Sequence, residues 1–509
     1  MSAASSAASP VVHEERELKF AVDDDFLLPS FESLPHHPVT VPSPPEVLHA
    51  TYYDTPDLRL ARWGVTIRFR SDDGWTLKLP HGKRTNTLTR DEVYVAGTPD
   101  RVPAQARDIV RALTRNEALV AVATLTTTRR RRELVALDGT RLAVITDDVV
   151  RAQPREHTEL RFHEVEIELT DIVEDALVER IVGRMLEAGA AQPDLVPKLV
   201  RALGRAAAAP PEVTTTETLE SDATGADLVR AAIAASVARL LRYDPRVRVG
   251  GDSENVHQAR VATRRLRSDL RTFRPLLDRE WCDALRSDLA DVATALGAVR
   301  DNEVLAERIR DAIEHCDADT AADAAPLLIV LEREHVAGRA ALLQLMNTDR
   351  YFTLVDQLVD AARRPSVRGR AATPAAELVP TVMNKPWRAL TTAVAALDGN
   401  SPDADLHHAR ILAKRVRYAA EALVPSVGRA ARTFAKRVTA LQTVLGDHQD
   451  AVVCAAWLRA AAPTLPERAR IAALHLAAEQ DDLGKHHRAE WMAAWNRAND
   501  STLRTWWTS

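Results

Sequence analysis

The hydrophobic period changes once along this chain, near residue 210, and that change limits the folds open to it. Up to about residue 170, stretches such as ERELKF (15–20), VTIRFR (65–70) and EVEIEL (164–169) alternate apolar with charged residues. A period of two marks strands with one buried face. Asp72-Asp73-Gly74, Pro80-His81-Gly82 and Asp138-Gly139 read as hairpin turns between such strands. Residues 171–189 have helical spacing, through Ile172, Ala176, Ile181 and Met185, and end on a glycine. Further on the alternation is gone. Leu228, Ile233, Val237 and Leu240 form one helical stripe, and Leu266, Leu270, Phe273 and Leu277 form another.

The expected architecture is therefore multidomain α+β. An antiparallel β unit spans 11–205, a linker 206–222 and an all-α unit 223–505. In the linker, Pro-Pro and a Thr/acidic run offer little to bury. A chain of 509 residues has room for these units. Its net charge of -5 argues against a protein that coats nucleic acid through global positive charge, so anion binding must come from local clusters. Cys282, Cys316 and Cys454 stand far apart and form neither a disulfide framework nor a cysteine zinc site, which fits a reducing compartment. Residues 1–12 have no basic-then-apolar signal pattern, and no long apolar run suggests a membrane span. The expected location is the cytoplasm.

The helical half repeats itself. His257-x-x-Arg260-x-x-x-Arg264-Arg265-x-Arg267 returns 150 residues later as His407-x-x-Arg410-x-x-x-Lys414-Arg415-x-Arg417. Leu296-Gly297-x-x-Arg300-Asp301 returns as Leu445-Gly446-x-x-Gln449-Asp450. Two matched blocks in one order indicate a duplicated bundle, with copies over about 223–365 and 376–505 and a loop at 363–374.

Charges on the strands follow a rule of their own. Residues two apart on a strand share a face, so Glu15, Glu17 and Lys19 point one way, as do Arg68 with Arg70, Arg90 with Glu92, and Glu164 with Glu166 and Glu168. Arg and Glu recur here in place of the Thr, Ser and Gln of an ordinary solvent face. If the sheet closes, that face becomes an interior in need of ligands. Arginine and lysine suit phosphate oxygens, and clustered glutamates suit Mg²⁺ or Mn²⁺. Metal-assisted attack of water on a phosphoanhydride needs both.

These residues resemble the CYTH domain, the triphosphate tunnel metalloenzymes, in the ExExK motif Glu15-x-Glu17-x-Lys19. The resemblance continues through Tyr52-Tyr53-Asp54-Thr55-Pro56, Arg68-x-Arg70, Leu77-Lys78, Arg90-x-Glu92, Glu164-x-Glu166-x-Glu168 and Pro197-Lys198. It implies an eight-stranded antiparallel barrel with flanking helices and a triphosphate-binding lumen. By position, Glu15, Glu17 and Glu166 or Glu168 are implied metal ligands, and Glu17 and Lys19 are the catalytic pair. Lys19, Arg68, Arg70, Lys78, Arg90 and Lys198 are implied phosphate ligands. In the run Arg129-Arg130-Arg131-Arg132 the expected inward residues are Arg130 and Arg132. Asp147 is the expected further carboxylate, with Asp148 as the alternative.

On the helical side, His257, Arg260, Arg264, Arg267 and Arg271 lie on one stripe, with Arg265 beside it. His407, Arg410, Lys414 and Arg417 repeat the stripe, with Arg415 beside it and Glu421 in the place of Arg271. Such like charges destabilise a helix unless an anion or an acidic neighbour offsets them. Polyphosphate fits better than nucleic acid, because no aromatic residues are interleaved for base stacking. This half resembles the CHAD domain, a family associated with inorganic polyphosphate. The expectation is a metal-dependent inorganic triphosphatase with a polyphosphate-binding helical domain and no membrane partner. The alternatives are a non-catalytic polyphosphate binder, or an adenylate cyclase or thiamine triphosphatase in the same barrel.

Overall fold

The computed structural model describes residues 11–84, 87–155 and 157–508. Residues 1–10, read above for targeting signals, lie outside them. The chain divides into two units. One runs to Glu212 and takes in Asp244–Val249, and the other comprises Val213–Tyr243 and the chain from Gly250 onward.

The strands of the first unit are β1 (Val11–Val22), β2 (Val39–Pro42), β3 (Glu46–Asp54), β4 (Thr66–Arg70), β5 (Gly74–Arg84), β6 (Thr87–Val95), β7 (Val120–Val135), β8 (Arg141–Pro154) and β9 (Leu160–Leu169). They pair antiparallel in the order β3-β4-β5-β6-β1-β9-β8-β7, and β7 returns to β3, closing an eight-stranded barrel. Short β2 extends the β3 edge along the far end of β7. The turns at Asp72-Asp73-Gly74 and Asp138-Gly139 fall where expected, with Gly74 and Gly139 at positive φ. Pro80-His81-Gly82 is not a turn. The β5 strand continues through it with a register shift between Pro80 and Gly82, a bulge that accommodates a residue with no N–H to give the ladder.

Among the described residues four α-helices accompany the barrel: α1 (Arg59–Arg62), α2 (Ala104–Thr114), α3 (Asp175–Glu187) and α4 (Lys198–Leu203). Leu18, Phe20, Ile145, Val165 and Ile167 turn outward and pack beneath Leu177, Val178, Ile181 and Met185 of α3. The apolar half of each alternation is thus spent on the outside, which leaves the charged half for the lumen. Ala50 and Tyr52 share the inward face, as cross-strand partners of Arg70 and Arg68. With Leu125, Val150 and Ala152 they seat Leu199, Val200 and Leu203 of α4, which plugs one end of the lumen. Asp54 of the Tyr-Tyr-Asp-Thr block is buried and structural. Its carboxylate accepts bonds from the backbone N–H of Leu60 and Ala61, both at 2.9 Å, and of Thr55 at 2.6 Å.

The start of the expected linker is fastened to the barrel. The Pro210 carbonyl accepts from Arg62 at 2.6 and 2.8 Å, and the Glu212 carboxylate accepts from Trp63 at 3.2 Å and Arg115 at 2.7 Å.

The second unit is helical: α5 (Gly225–Val249, of which Asp244–Val249 counts with the first unit), α6 (Ser253–Thr272), α7 (Arg279–Glu314), α8 (Ala318–Met346), α9 (Asp349–Arg363), α10 (Ala375–Ala395), α11 (Asp403–Ala422), α12 (Val424–Val427), α13 (Arg429–Ala461) and α14 (Glu467–Ala498). Helices α5 to α8 and α10, α11, α13 and α14 are the two copies. Both expected stripes, from Leu228 to Leu240 and from Leu266 to Leu277, are buried. Leu305 and Ile309 of α7, Leu327 and Leu331 of α8, Leu458 of α13 and Leu476 of α14 belong to one apolar cluster, so the copies share a core. No helix among the described residues is long and apolar enough to cross a membrane.

Candidate active site and basic pocket

The barrel lumen holds a cavity of about 370 Å³, walled by charged side chains from seven strands and by Lys198 at the start of the α4 plug. Alternation on β1 puts Glu15, Glu17 and Lys19 on the face toward it; Glu15 and Lys19 line it, Glu17 is buried against Lys19 and Arg90, and Arg90 stands opposite Glu15 on β6. On the other side of β1, Glu166 stands opposite Lys19 and Glu168 opposite Glu17. Lys19 is buried, hydrogen-bonded to Glu166 and 3.2 Å from Glu17. Burial works against its charge, but Glu166 and Glu17 hold its ammonium well above the ordinary lysine range. Arg90 bonds Glu17. Lys78 bonds Glu15 at 2.7 Å and stands 3.4 Å from Glu92, which also lies 3.3 Å from Arg68. Arg70 pairs with Asp72 at 2.8 Å and with Asp73 at 3.0 Å. Lys198 reaches Asp148 at 2.6 Å, Glu164 at 3.2 Å and Glu166 at 3.7 Å.

Lys19, Arg68, Arg70, Lys78, Arg90 and Lys198, the expected phosphate ligands, therefore all meet in one lumen, with Glu15, Glu17, Glu166 and Glu168 among them. Two expectations are corrected. Arg130 and Arg132 do not face inward; Arg129 and Arg131 line the cavity instead. Arg130 is largely exposed and pairs outside with Asp147 at 3.7 Å. Asp147 likewise faces out, bound to His163 at 2.6 Å, and Asp148 is the lumen carboxylate, bound to Arg129 at 2.6 and 2.8 Å. The phase of β7 was ambiguous because apolar residues mark both of its faces. Leu125 packs inward on the plug and Leu134 outward under α3, and they have opposite parity.

Glu168 differs from the other lumen carboxylates. No ion pair or hydrogen bond holds it among the described residues. Burial, and then the neighbouring Glu15, push its carboxyl up to about 7, with Glu166 and Glu17 adding to the effect. A carboxylate crowded by carboxylates marks a place that favours added positive charge. Glu15, Glu17 and Glu168 are hard oxygen donors on adjacent strands, a set that fits a divalent cation. Among the described residues no three His, Cys, Asp or Glu side chains already stand at ligating positions, since Lys78, Lys19 and Arg90 hold Glu15 and Glu17.

The helical unit brings its two motif copies to a single pocket of about 450 Å³. His257, Arg260 and Arg264 of α6 face His407, Arg410 and Lys414 of α11 across it, and Arg300 and Gln449 flank them. Each copy is built alike. Arg260 donates to the Gly297 carbonyl at 2.7 Å and to Asp301 at 2.8 Å, and Arg410 lies over Gly446 and 3.8 Å from Asp450. The Leu-Gly block thus exists to let the arginine of the His-x-x-Arg block cross the neighbouring helix. Arg265, Arg267, Arg271, Arg415 and Arg417 do not line this pocket, because the helix carries them past it; Arg265 and Arg417 pair with Glu421 at 3.0 and 3.4 Å. Arg308 lines the pocket and was not anticipated, since it lies outside both repeated blocks.

Profiles of known families match both units: the CYTH domain over residues 13–199 and the CHAD domain over residues 231–459. The uncharacterized protein MT2285 of Mycobacterium tuberculosis (strain CDC 1551 / Oshkosh) is 32% identical over 474 residues, covering 88% of each chain. This chain belongs to the CYTH–CHAD fusion family. The uncharacterized protein Rv2226 of Mycobacterium tuberculosis (strain ATCC 25618 / H37Rv) shows the same identity and coverage. Among solved structures, PptA from Streptomyces chartreusis is similar over 54% of this chain and 99% of its own, with 27% identity and a TM-score of 0.46. The CHAD domain from the plant Ricinus communis is similar over 57% and 96%, with 26% identity and a TM-score of 0.46. The CYTH barrel is a tunnel metalloenzyme of hydrolase or cyclase type, a class that generally uses divalent metals.

Proposed function

We propose that the CYTH barrel hydrolyses inorganic triphosphate with Mg²⁺ or Mn²⁺ and that the CHAD pocket binds inorganic polyphosphate. One observation carries this reading: a closed lumen in which eight cations, Lys19, Arg68, Arg70, Lys78, Arg90, Arg129, Arg131 and Lys198, interleave with carboxylates. Lys19, Arg90 and Lys198 would exchange their carboxylate partners for phosphate oxygens and neutralise charge that grows as the terminal P–O–P bond breaks. Glu15, Glu17 and Glu168 would hold the divalent ion, which when bound polarises phosphate oxygens and acidifies water. Water adds to the terminal phosphorus, the bridging oxygen leaves with pyrophosphate, and the products are phosphate and pyrophosphate. A second anion pocket in the same chain, with no Phe, Tyr or Trp among its lining residues to stack on a base, favours inorganic chains over nucleotides. We also place the protein in the cytoplasm, a setting supported by three free thiols, Cys282, Cys316 and Cys454.

Phosphate release from tripolyphosphate, ATP and thiamine triphosphate, with each metal, tests the enzyme reading. Glu17→Gln strands Arg90 and Lys19, so Glu168→Gln, which strands no cation, is the cleaner variant; it should lose about 100-fold in turnover with the fold intact. Wild-type protein that turns over none of the three overturns the enzyme reading. Such a result favours a non-catalytic binder whose lumen carboxylates stay locked to their cations.

A further inference from the structure

Helix α4 closes one end of the barrel lumen, seated on Tyr52 of β3, Leu125 of β7 and Val150 of β8. Toward the other ends of those strands stand Glu46, Arg131 and Val144, which line the same cavity. The turn between β4 and β5 adds Asp72 and Asp73 to this rim. Glu46, Asp72 and Arg131 are exposed, whereas Lys19 and Arg90 further in are buried, so this end is the mouth. The cations nearest the mouth are already held by acids. Asp72 and Asp73 pair with Arg70 at 2.8 and 3.0 Å, and Asp73 lies 3.5 Å from Arg68. Arg131 is 3.7 Å from Glu133, and Tyr94 gives its hydroxyl proton to Glu92 at 2.8 Å. Gly74, at positive φ, sets the tight turn that keeps the two aspartates beside Arg70.

We infer that Glu46, Asp72 and Asp73 set the length of chain the barrel accepts. A triphosphate reaches Lys19, Lys78, Arg90 and Lys198 and lies wholly inside. A longer polyphosphate enters the same way, because α4 leaves it no second exit, and its remaining units must lie between the rim carboxylates. Every one of those units is an anion, and a like-charge contact of this kind, partly screened by salt, costs about tenfold in affinity. The inference rests on the reading of the barrel as an inorganic triphosphatase and names the residues that confine it to short chains.

The test uses the full-length protein and phosphate release from tripolyphosphate and from long-chain polyphosphate, matched for chain ends. The wild type should favour tripolyphosphate in kcat/KM. The combined variant Glu46→Gln, Asp72→Asn and Asp73→Asn keeps the shapes of the rim side chains, and its amide oxygens still accept from Arg70. It should narrow the preference about tenfold, chiefly through a lower KM for the long chain. Its tripolyphosphate turnover should stay within about twofold, which also reports an intact fold. The helical unit is the same in both proteins, so its own hold on long chains cancels in the comparison. Asp72→Glu keeps the charge and should keep the preference. A wild type that cuts long chains as readily as tripolyphosphate overturns this inference alone, as does a combined variant that retains the full preference. A variant that gains equally on both substrates shows general repulsion of anions and also overturns it. A wild type that releases no phosphate from tripolyphosphate overturns the enzyme reading beneath it.

Discussion

Lys414 is the residue whose surroundings most alter its chemistry in the helical unit. Burial, with Arg410, Arg264 and Arg260 close by, lowers its ammonium from the ordinary 10.5 to about 7, and Asp450 offsets only part of this. Between those two values the unfolded chain holds a proton that the folded protein has released. Stability from this group therefore rises with pH from about 7 to 10.5, and below 7 the crowded charge costs in full. Phosphate in the pocket reverses the balance by favouring the ammonium, so binding above pH 7 takes up a proton. Polyphosphate affinity should fall as pH rises from 7 toward 10, and Lys414→Arg should flatten the profile. His257 and His407, both shifted to lower values chiefly by burial, titrate on the acid side of this window. Titration calorimetry in buffers of different ionisation enthalpy reads the proton directly. Equal slopes for the wild type and Lys414→Arg would contradict this assignment.

At the scale of elements, the glycines in the middle of α7 and α13 need an explanation, because glycine weakens a helix interior by about 1 kcal/mol relative to alanine. The explanation is the arginine crossing above each of them. A methyl group on Gly297 would stand 3.3 Å from Arg260 Nη1, and one on Gly446 would stand 3.4 Å from Arg410 Nε and Nη2. A guanidinium can swing away, so Gly297→Ala should keep or raise the melting temperature. Polyphosphate affinity should nonetheless drop about fivefold, as Arg260 loses the Gly297 carbonyl. Gly338→Ala in α8 is the control, since its methyl would meet only Val299, at 3.7 Å. It should raise stability alike and leave affinity unchanged. A Gly297→Ala protein with full affinity would show that this crossing does not position Arg260 for binding.

For the whole molecule, the two anion sites belong to different units and share no residue. Substitutions in one should be additive with those in the other. Arg410→Ala is expected to cost about tenfold or more in long-chain polyphosphate affinity and to leave tripolyphosphate turnover within about twofold. Parallel binding and phosphate-release assays on one preparation check both halves of that statement. A matched loss in both assays would show that the sites act together.

Most of this architecture could be read from the sequence because it rests on local periodicity. Period-two alternation put Glu15, Glu17, Lys19, Arg68, Arg70 and Arg90 on shared faces; all but Glu17 line the lumen, and Glu17 is buried against Arg90 and Lys19. The repeated His-x-x-Arg blocks likewise announced a duplicated helical unit. Periodicity says which residues share a face, but not which way the face turns. It could not choose Arg129 over Arg130 or Asp148 over Asp147, because β7 meets the plug on one face and α3 on the other. Nor could it show that the two basic stripes converge on one pocket, or that Arg265 of one copy meets Glu421 of the other. Those arrangements depend on contacts between residues about 150 positions apart, and only the packing of α6 against α11 decides them.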